Sequence, residues 1–315
     1  MARLGRDLRC AGKAMTAIGI DLGGTKIETQ VFNDVWEVVA RQRCDTPQVY
    51  AALVKAVADQ ITWAEGQAGS AAPVGIGAAG LINPQTGLAL TANLAATGKP
   101  LPADIVQAAG RSVTYVNDCR ALALSEAIFG RGRDHRTVMA LILGTGVGGG
   151  IAVDGSILHG PTRTGGDFGH TSAAAHLIVE HDLPIWPCGC GRLGCVETYV
   201  AGPGLVRMAK HLTGQALTAP EIAAQRDGAL EGVWAIWCAL TAELLHTLTL
   251  TIDPDIIVVG GGLTLIDGII EDLTIAAKHA QIGDFGIAPL VLAQGGETSG
   301  ARGAAYAAWQ ARNDV

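Results

Sequence analysis

Residues 167–197 constrain this chain more than any other stretch. They open Asp167-Phe168-Gly169-His170 and close Cys188-Gly189-Cys190-Gly191-Arg192-Leu193-Gly194-Cys195-Val196-Glu197, so three of the chain's seven cysteines fall within eight positions. Three thiolates and one imidazole make a closed tetrahedral donor set, the kind that structural zinc takes. Gly189, Gly191 and Gly194 permit the tight curl that turns neighbouring sulfurs toward one ion. Two plainer readings compete. A disulfide would leave one cysteine over, and nothing marks the chain as exported. Buried core cysteines beside a core histidine would not need so many glycines among them. His170, Cys188, Cys190 and Cys195 are therefore the expected ligands of one structural Zn²⁺.

The 315 residues suffice for one domain of two lobes or for two small domains. Hydrophobic residues make up 49% and charged ones 16%, which allows a large buried core. A net charge of −7 argues against nucleic acid as the main partner. Residues 1–14 carry Arg3, Arg6, Arg9 and Lys13 without the apolar centre of a signal peptide, and Met15 is the expected natural start. Residues 233–252 are apolar but include Glu243 and His246, which argues against a membrane span. The chain is expected to be soluble and cytoplasmic, with reduced thiols and no membrane partner.

Ahead of the cysteine stretch the chain uses one design twice. Residues 17–20 read as a short apolar strand, Asp21-Leu22-Gly23-Gly24-Thr25-Lys26 as a glycine turn, and 27–32 as a second strand. Such a turn offers backbone N–H groups to an anion. Asp21 beside that anion calls for a cation, and Mg²⁺ binds through one or two carboxylates plus phosphate oxygens. A glycine hairpin can also be only a turn, so both readings stay open. Residues 137–143, then Gly144-Thr145-Gly146-Val147-Gly148-Gly149-Gly150, then 151–153 repeat strand, glycine turn and strand, which points to two related lobes closing on one nucleotide. A strand at 112–116 ends in Asn117-Asp118, ahead of a helix at 120–129. An acid at the C-terminal end of such a strand lies where ligands bind. Asp118 serves equally as the helix N-cap, the role its position alone favours. A strand at 255–259 runs into Gly260-Gly261-Gly262, where a ligand can approach the backbone closely, and a helix is expected at 265–279.

Gly169-His170 followed by Cys-x-Cys-Gly-x-x-Gly-Cys-x-Glu resembles the signature of the ROK family (repressors, open reading frames, kinases). With the three glycine loops in order, the resemblance covers nearly all of residues 16–310. It implies an α/β, two-lobed actin-like ATPase (ribonuclease H-like) fold with a structural zinc loop. The implied small lobe spans 1–118 plus a closing helix at 301–315, and the large lobe spans 119–300. The implied cofactors are ATP, Mg²⁺ and structural Zn²⁺. By resemblance Asp21, Gly23, Gly24, Thr25 and Lys26 form the first phosphate loop, Gly144, Thr145 and Gly146 the second, and Gly260, Gly261 and Gly262 the adenosine loop. Asp118 is implied as the catalytic base and Asn117 as the holder of neighbouring hydroxyls. Asp167, His170 and Glu197 would bind the sugar ring on the zinc side, with Gly80 and Asn93 on the opposite wall. The implied reaction is ATP-dependent phosphorylation of a hexose 6-hydroxyl. Residues 92–101, 141–150 and 217–222 resemble the branch that acts on N-acetyl-D-glucosamine. A fructose- or glucose-directed kinase is the alternative, and a non-catalytic sugar-sensing regulator a further one. A DNA-binding helix-turn-helix would have to precede Asp21, where no room is expected. A homodimer is the family's expectation. This chain departs from the family pattern at Asp167 (usually Glu), at Ala79 (usually Pro) and at Cys119-Arg120 (usually small or amide residues).

Overall fold

The computed structural model describes residues 17–69, 71–296 and 299–313, so the basic stretch 1–14 and Met15 lie outside it. The chain forms two compact units. One runs to Ser125 and takes in His159–Arg163 and the chain from Gly295 onward; the other holds Glu126–Leu158 and Thr164–Gln294.

The first unit is built on β1 (Ala17–Leu22), β2 (Lys26–Phe32), β3 (Val38–Asp45), β4 (Val74–Ala78) and β7 (Thr114–Asn117), with a short hairpin of β5 (Leu81–Ile82) and β6 (Ala89–Leu90) beside them. The sheet order is β3-β2-β1-β4-β7. Strands β1 to β3 run antiparallel, while β1, β4 and β7 run parallel. Helix α1 (Tyr50–Ala68) buries Leu53, Val57 and Ile61, spaced by four so that they share one face. That face and α2 (Leu101–Ala109) cover Ile18, Ile20 and Ile76 in one core. Strand β3 has no fully buried residue; its register against β2 and the packing of Ala40 and Cys44 against the core hold it. The closing helix Ser299–Asn313 presses so close to the sheet that a Cβ on Gly19 would sit 1.9 Å from the Ala301 carbonyl oxygen, and one on Gly75 would sit 1.8 Å from that of Ala304.

The second unit repeats the plan. Its sheet contains β8 (Thr137–Leu143), β9 (Val147–Val153), β10 (Ser156–Ile157), β11 (Ile256–Gly260) and β12 (Leu290–Leu292), in the order β10-β9-β8-β11-β12. Three antiparallel strands are again followed by two parallel ones. Two sheets of identical order and polarity are the duplicated ribonuclease H-like plan of the actin-like ATPases. Helix α3 (Asp118–Phe129) leads out of β7; α4 (Ala175–Glu180), α5 (Glu197–Val200), α6 (Gly202–Thr213), α7 (Ala219–Ala223), α8 (Glu231–Ile252) and α9 (Ile269–Ala280) complete the chain. Helix α8 is long and apolar enough to cross a membrane by length and composition. It buries Trp237, Leu240, Leu245 and Leu248 in the core of this unit.

Two local expectations change. Residues 147–150 belong to β9 and not to a turn, because Gly149 lies where a Cβ would be 2.2 Å from the Ala140 carbonyl and 2.6 Å from the Phe168 ring. The helix expected at 265–279 starts at Ile269, since a 3₁₀ turn occupies Gly262–Leu265 and Gly268 breaks the path at φ +79°.

Candidate active site

Strand β7 delivers Asn117 and Asp118 to the end of the first unit's sheet. Asn117 Oδ1 accepts from the backbone N–H of Cys119 at 3.0 Å and of Arg120 at 3.3 Å, so Asn117 caps α3. The capping expected of Asp118 is thus shared by its neighbour, and Asp118 becomes the first helical residue. Burial pushes the Asp118 carboxyl above its ordinary range, against the pull of the Cys119 N–H and the Arg120 charge. Asn117 Nδ2 donates to the Gly80 carbonyl at 3.0 Å. Gly80 stands at φ +95°, where a Cβ would meet the Leu90 carbonyl at 2.5 Å. A cavity of about 340 Å³ opens beside this pair, lined by Gly80, Tyr115, Asn117, Arg120, His159 and Arg163 among others. Tyr115 was readable as a partner, because residues two apart on a strand share a face. His159 and Arg163 carry no sequence signal, since a loop 40 residues on brings them to this unit.

The β1–β2 turn holds the first glycine loop. Gly23 N–H donates to the Lys26 carbonyl at 3.1 Å, and Thr46 pins the loop by donating its hydroxyl to the Gly23 carbonyl at 2.7 Å and its N–H to that of Thr25 at 3.0 Å. A Cβ on Gly24 would be 2.7 Å from Asn93 Cβ, so Asn93 lies against this loop. A Cβ on Gly300 would be 3.1 Å from the Asp21 carboxylate, so Gly300 lies tightly against that acid. Asp21, Gly24 and Asn93 therefore come together within one unit.

In the second unit, Gly144 N–H donates to the Gly146 carbonyl at 3.0 Å, and the Gly144 carbonyl accepts from Gly202 N–H at 2.8 Å. Gly261, at φ +94°, lies where a Cβ would be 2.4 Å from the Leu143 carbonyl, which draws the third glycine loop onto the second. Gly144, Thr145 and Gly262 line a pocket of about 560 Å³ together with Pro203, Ala219 and Leu265. Its floor comes from α6 and α7. The capping box of Thr218 and Glu221 starts α7, with Glu221 N–H donating to the Thr218 hydroxyl at 3.4 Å and Thr218 N–H donating to the Glu221 carboxylate at 2.7 Å.

The cysteine stretch folds as its composition requires. Asp167 precedes a 3₁₀ turn, Phe168–His170, and His170 N–H donates back to the Asp167 carbonyl at 3.1 Å. Gly169 lies so close to β9 that a Cβ would be 2.2 Å from the Val147 carbonyl and 3.0 Å from Glu197 Cβ. Cys188 N–H donates to the Arg192 carbonyl at 2.8 Å, closing a knuckle in which Gly191 takes φ +87° and Gly194 φ +68°. The donor atoms of His170, Cys188, Cys190 and Cys195 lie within 4.8 Å of one another. Zinc–sulfur bonds of about 2.3 Å in a tetrahedron put sulfurs about 3.8 Å apart. Cys190 and Cys195 Sγ are 3.7 Å apart, and Cys188 Sγ is 3.6 Å from His170 Nδ1, so the four fit such an ion. The same 3.7 Å excludes a disulfide, whose sulfurs are about 2.05 Å apart. Glu197 reaches this group as well: its Oε1 lies 2.9 Å from Cys188 Sγ, and its Oε2 accepts from Val147 N–H at 3.5 Å.

Comparison with known proteins agrees with this geometry. A family model described as the ROK family matches residues 17–311. An N-acetylgalactosamine kinase of Shewanella sp. (strain ANA-3) is 38% identical over 292 residues, 91% of this chain and 94% of its own. An N-acetyl-D-glucosamine kinase of Haemophilus influenzae (strain 86-028NP) is 34% identical over 296 residues, 91% of this chain and 97% of its own. The crystal structure of a ROK family glucokinase from Streptomyces griseus, in complex with glucose and AMPPNP, superposes with a TM-score of 0.75 at 27% identity, covering 94% of this chain and 99% of that one. A match across almost the whole chain, on a duplicated ribonuclease H-like plan with a Cys₃His group, places it: the chain belongs to the ROK family.

Proposed function

We propose that this ATP-dependent sugar kinase phosphorylates the 6-hydroxyl of an N-acetylated hexosamine, with N-acetyl-D-glucosamine as the preferred sugar. The observation that carries the reading is the Asn117–Asp118 corner: Asn117 shares the capping of the helix, so that Asp118, with Oδ1 accepting from Cys119 N–H at 2.9 Å, keeps Oδ2 for chemistry. A carboxylate there accepts the proton of the attacking hydroxyl, while Asn117 and Asn93 hold neighbouring hydroxyls. Asp167, His170 and Glu197 contribute further ring contacts. Phosphoryl transfer needs positioning and charge neutralisation above all. The loops around Gly23 to Lys26 and Gly144 to Gly146 supply backbone N–H groups for the triphosphate. Gly260, Gly261 and Gly262 admit the adenosine, and Asp21 holds Mg²⁺ through its carboxylate. Zinc on His170, Cys188, Cys190 and Cys195 fixes the loop that carries His170 and Glu197, and its chemistry there is structural. The cytoplasm, where ATP is made and thiols stay reduced, is the compartment this chemistry requires.

The amino-sugar preference rests on the small-residue loop Ala95-Ala96-Thr97-Gly98. Thr97 Oγ1 closes it by donating to the Thr91 carbonyl at 2.7 Å and accepting from Thr91 N–H at 3.0 Å. Gly98 is exposed, and a Cβ there would meet nothing within 4 Å, so this loop leaves an acetamido substituent unobstructed. The Shewanella relative favours a second reading, N-acetyl-D-galactosamine, which differs only in the direction of the 4-hydroxyl. A panel of hexoses and N-acetylhexosamines with ATP and Mg²⁺ tests both. N-acetyl-D-glucosamine should exceed glucose and fructose in kcat/KM by at least about tenfold, the value of one lost polar partner. Glucose or fructose in first place would defeat the amino-sugar reading. Absence of turnover with every sugar would defeat the kinase reading.

A further inference from the structure

The cavity beside Asn117 holds groups for which the kinase reaction gives no use. Two guanidiniums, an imidazole and a phenol line it, with no carboxylate among its described lining residues, although the Asp118 carboxylate acts on both Tyr115 and Arg120. Arg120 is only 5% exposed, and its Nη2 donates to the Arg163 carbonyl at 2.5 Å, which ties the two arginines together. Arg163 Nη1 lies 3.4 Å from His159 Nδ1. Burial, then the charges of Arg163 and Arg120, pulls His159 below its ordinary range. The ring is therefore neutral at pH 7. Nδ1 accepts from the guanidinium and Nε2 carries a proton to donate. The Tyr115 hydroxyl is buried and makes no hydrogen bond among the described residues. Burial, then the charge of Asp118, raises its pKa, so it stays an O–H donor. A buried donor without an acceptor is a cost that native structures rarely keep.

We propose that this cavity is an oxyanion site for a phosphate group, held by Arg120, Arg163, the His159 ring and the Tyr115 hydroxyl. Arginine forks match phosphate oxygens in pairs, and the hydroxyl and ring N–H offer further donors. About 340 Å³ holds a phosphate with space for the group it esterifies. Neither arginine is among the site residues that the resemblance implies. Two sources supply the same chemistry: free inorganic phosphate, and the phosphate of a phosphorylated amino sugar. The second source rests on the kinase reading above; the first does not.

The test is calorimetric titration of the full chain with inorganic phosphate and, separately, with N-acetyl-D-glucosamine 6-phosphate. Neither titration needs turnover, so it stands apart from the kinase assay. Saturable one-site binding is expected. Arg163→Gln, at an exposed loop position, should weaken it at least about tenfold, and Tyr115→Phe about threefold or more. An ester that binds at least about tenfold tighter than phosphate, with the same loss in Arg163→Gln, identifies the sugar phosphate as the source. Equal affinities identify the free anion. Lack of saturable binding by either probe, or full affinity in Arg163→Gln, overturns the proposal.

Discussion

Asp118 shows what one side chain gains from its neighbour. Asn117 shares the capping with it, so only Oδ1 of its carboxylate is spent on the helix, at Cys119 N–H, and burial raises its pKa above the ordinary 3.8. A raised folded pKa means that the folded state holds the proton more tightly than the unfolded one. Stability from this group is therefore complete below pH 3.8 and is lost as pH rises through the raised value. Asp118→Asn, which cannot ionise, should escape that loss. It should melt at or above the parent's temperature at pH 8 while kcat falls by roughly 10²–10⁴-fold, the usual cost of losing a general base. Thermal melts at pH 4 and pH 8 with steady-state rates check both halves. A fall in kcat below about tenfold would make Asp118 a structural acid only. The acid limb of kcat/KM for the parent should likewise lie above that of an ordinary aspartate.

At the scale of elements, glycines decide how closely helices and strands meet. Gly19 and Gly75 sit mid-strand, where glycine normally weakens a sheet, yet the closing helix Ser299–Asn313 lies directly against their backbones. Gly75→Ala forces a Cβ to within 1.8 Å of a helix carbonyl, so strand or helix must move. The loss should be at least about 2 kcal/mol, toward the upper part of the range for overpacking. A denaturant melt reads it directly. A loss under about 0.5 kcal/mol would mean that the helix shifts freely. Sequence reading placed this helix near its observed bounds and gave no hint of the contact. A glycine's neighbours across a fold leave no trace beside it in the chain. Strand β3 escaped for another reason: its half-buried face carries Ala40, Gln42 and Cys44, a polar residue between two small ones, which is too weak a hydrophobic alternation to announce a strand.

At the scale of the molecule, each unit has its own core, one around Ile20, Leu53 and Ile76, the other around Leu141, Tyr199 and Trp237. The Cys₃His group belongs to the second unit alone. Scanning calorimetry should resolve two transitions, and a strong chelator should lower only one of them while metal analysis falls from near one zinc per chain. Equal shifts of both transitions, or a chain isolated free of zinc with full activity, would refute the zinc assignment.

Local chemistry was legible from the chain alone. The spacing of Cys188, Cys190 and Cys195 with His170 specifies a metal set, because ligands close in sequence need only a tight turn to converge. Strand–glycine–strand at 17–32 and again at 137–153 announced two like sheets, because hairpins are short-range objects. Burial and remote contact belong to the tertiary structure. The capping expected of Asp118 is shared by Asn117, Gly149 serves packing rather than a turn, and Arg163 with His159 came to line a cavity with Tyr115. Each of these depends on atoms brought near by folding, and the free energy of such contacts comes from burial, which no window of sequence contains.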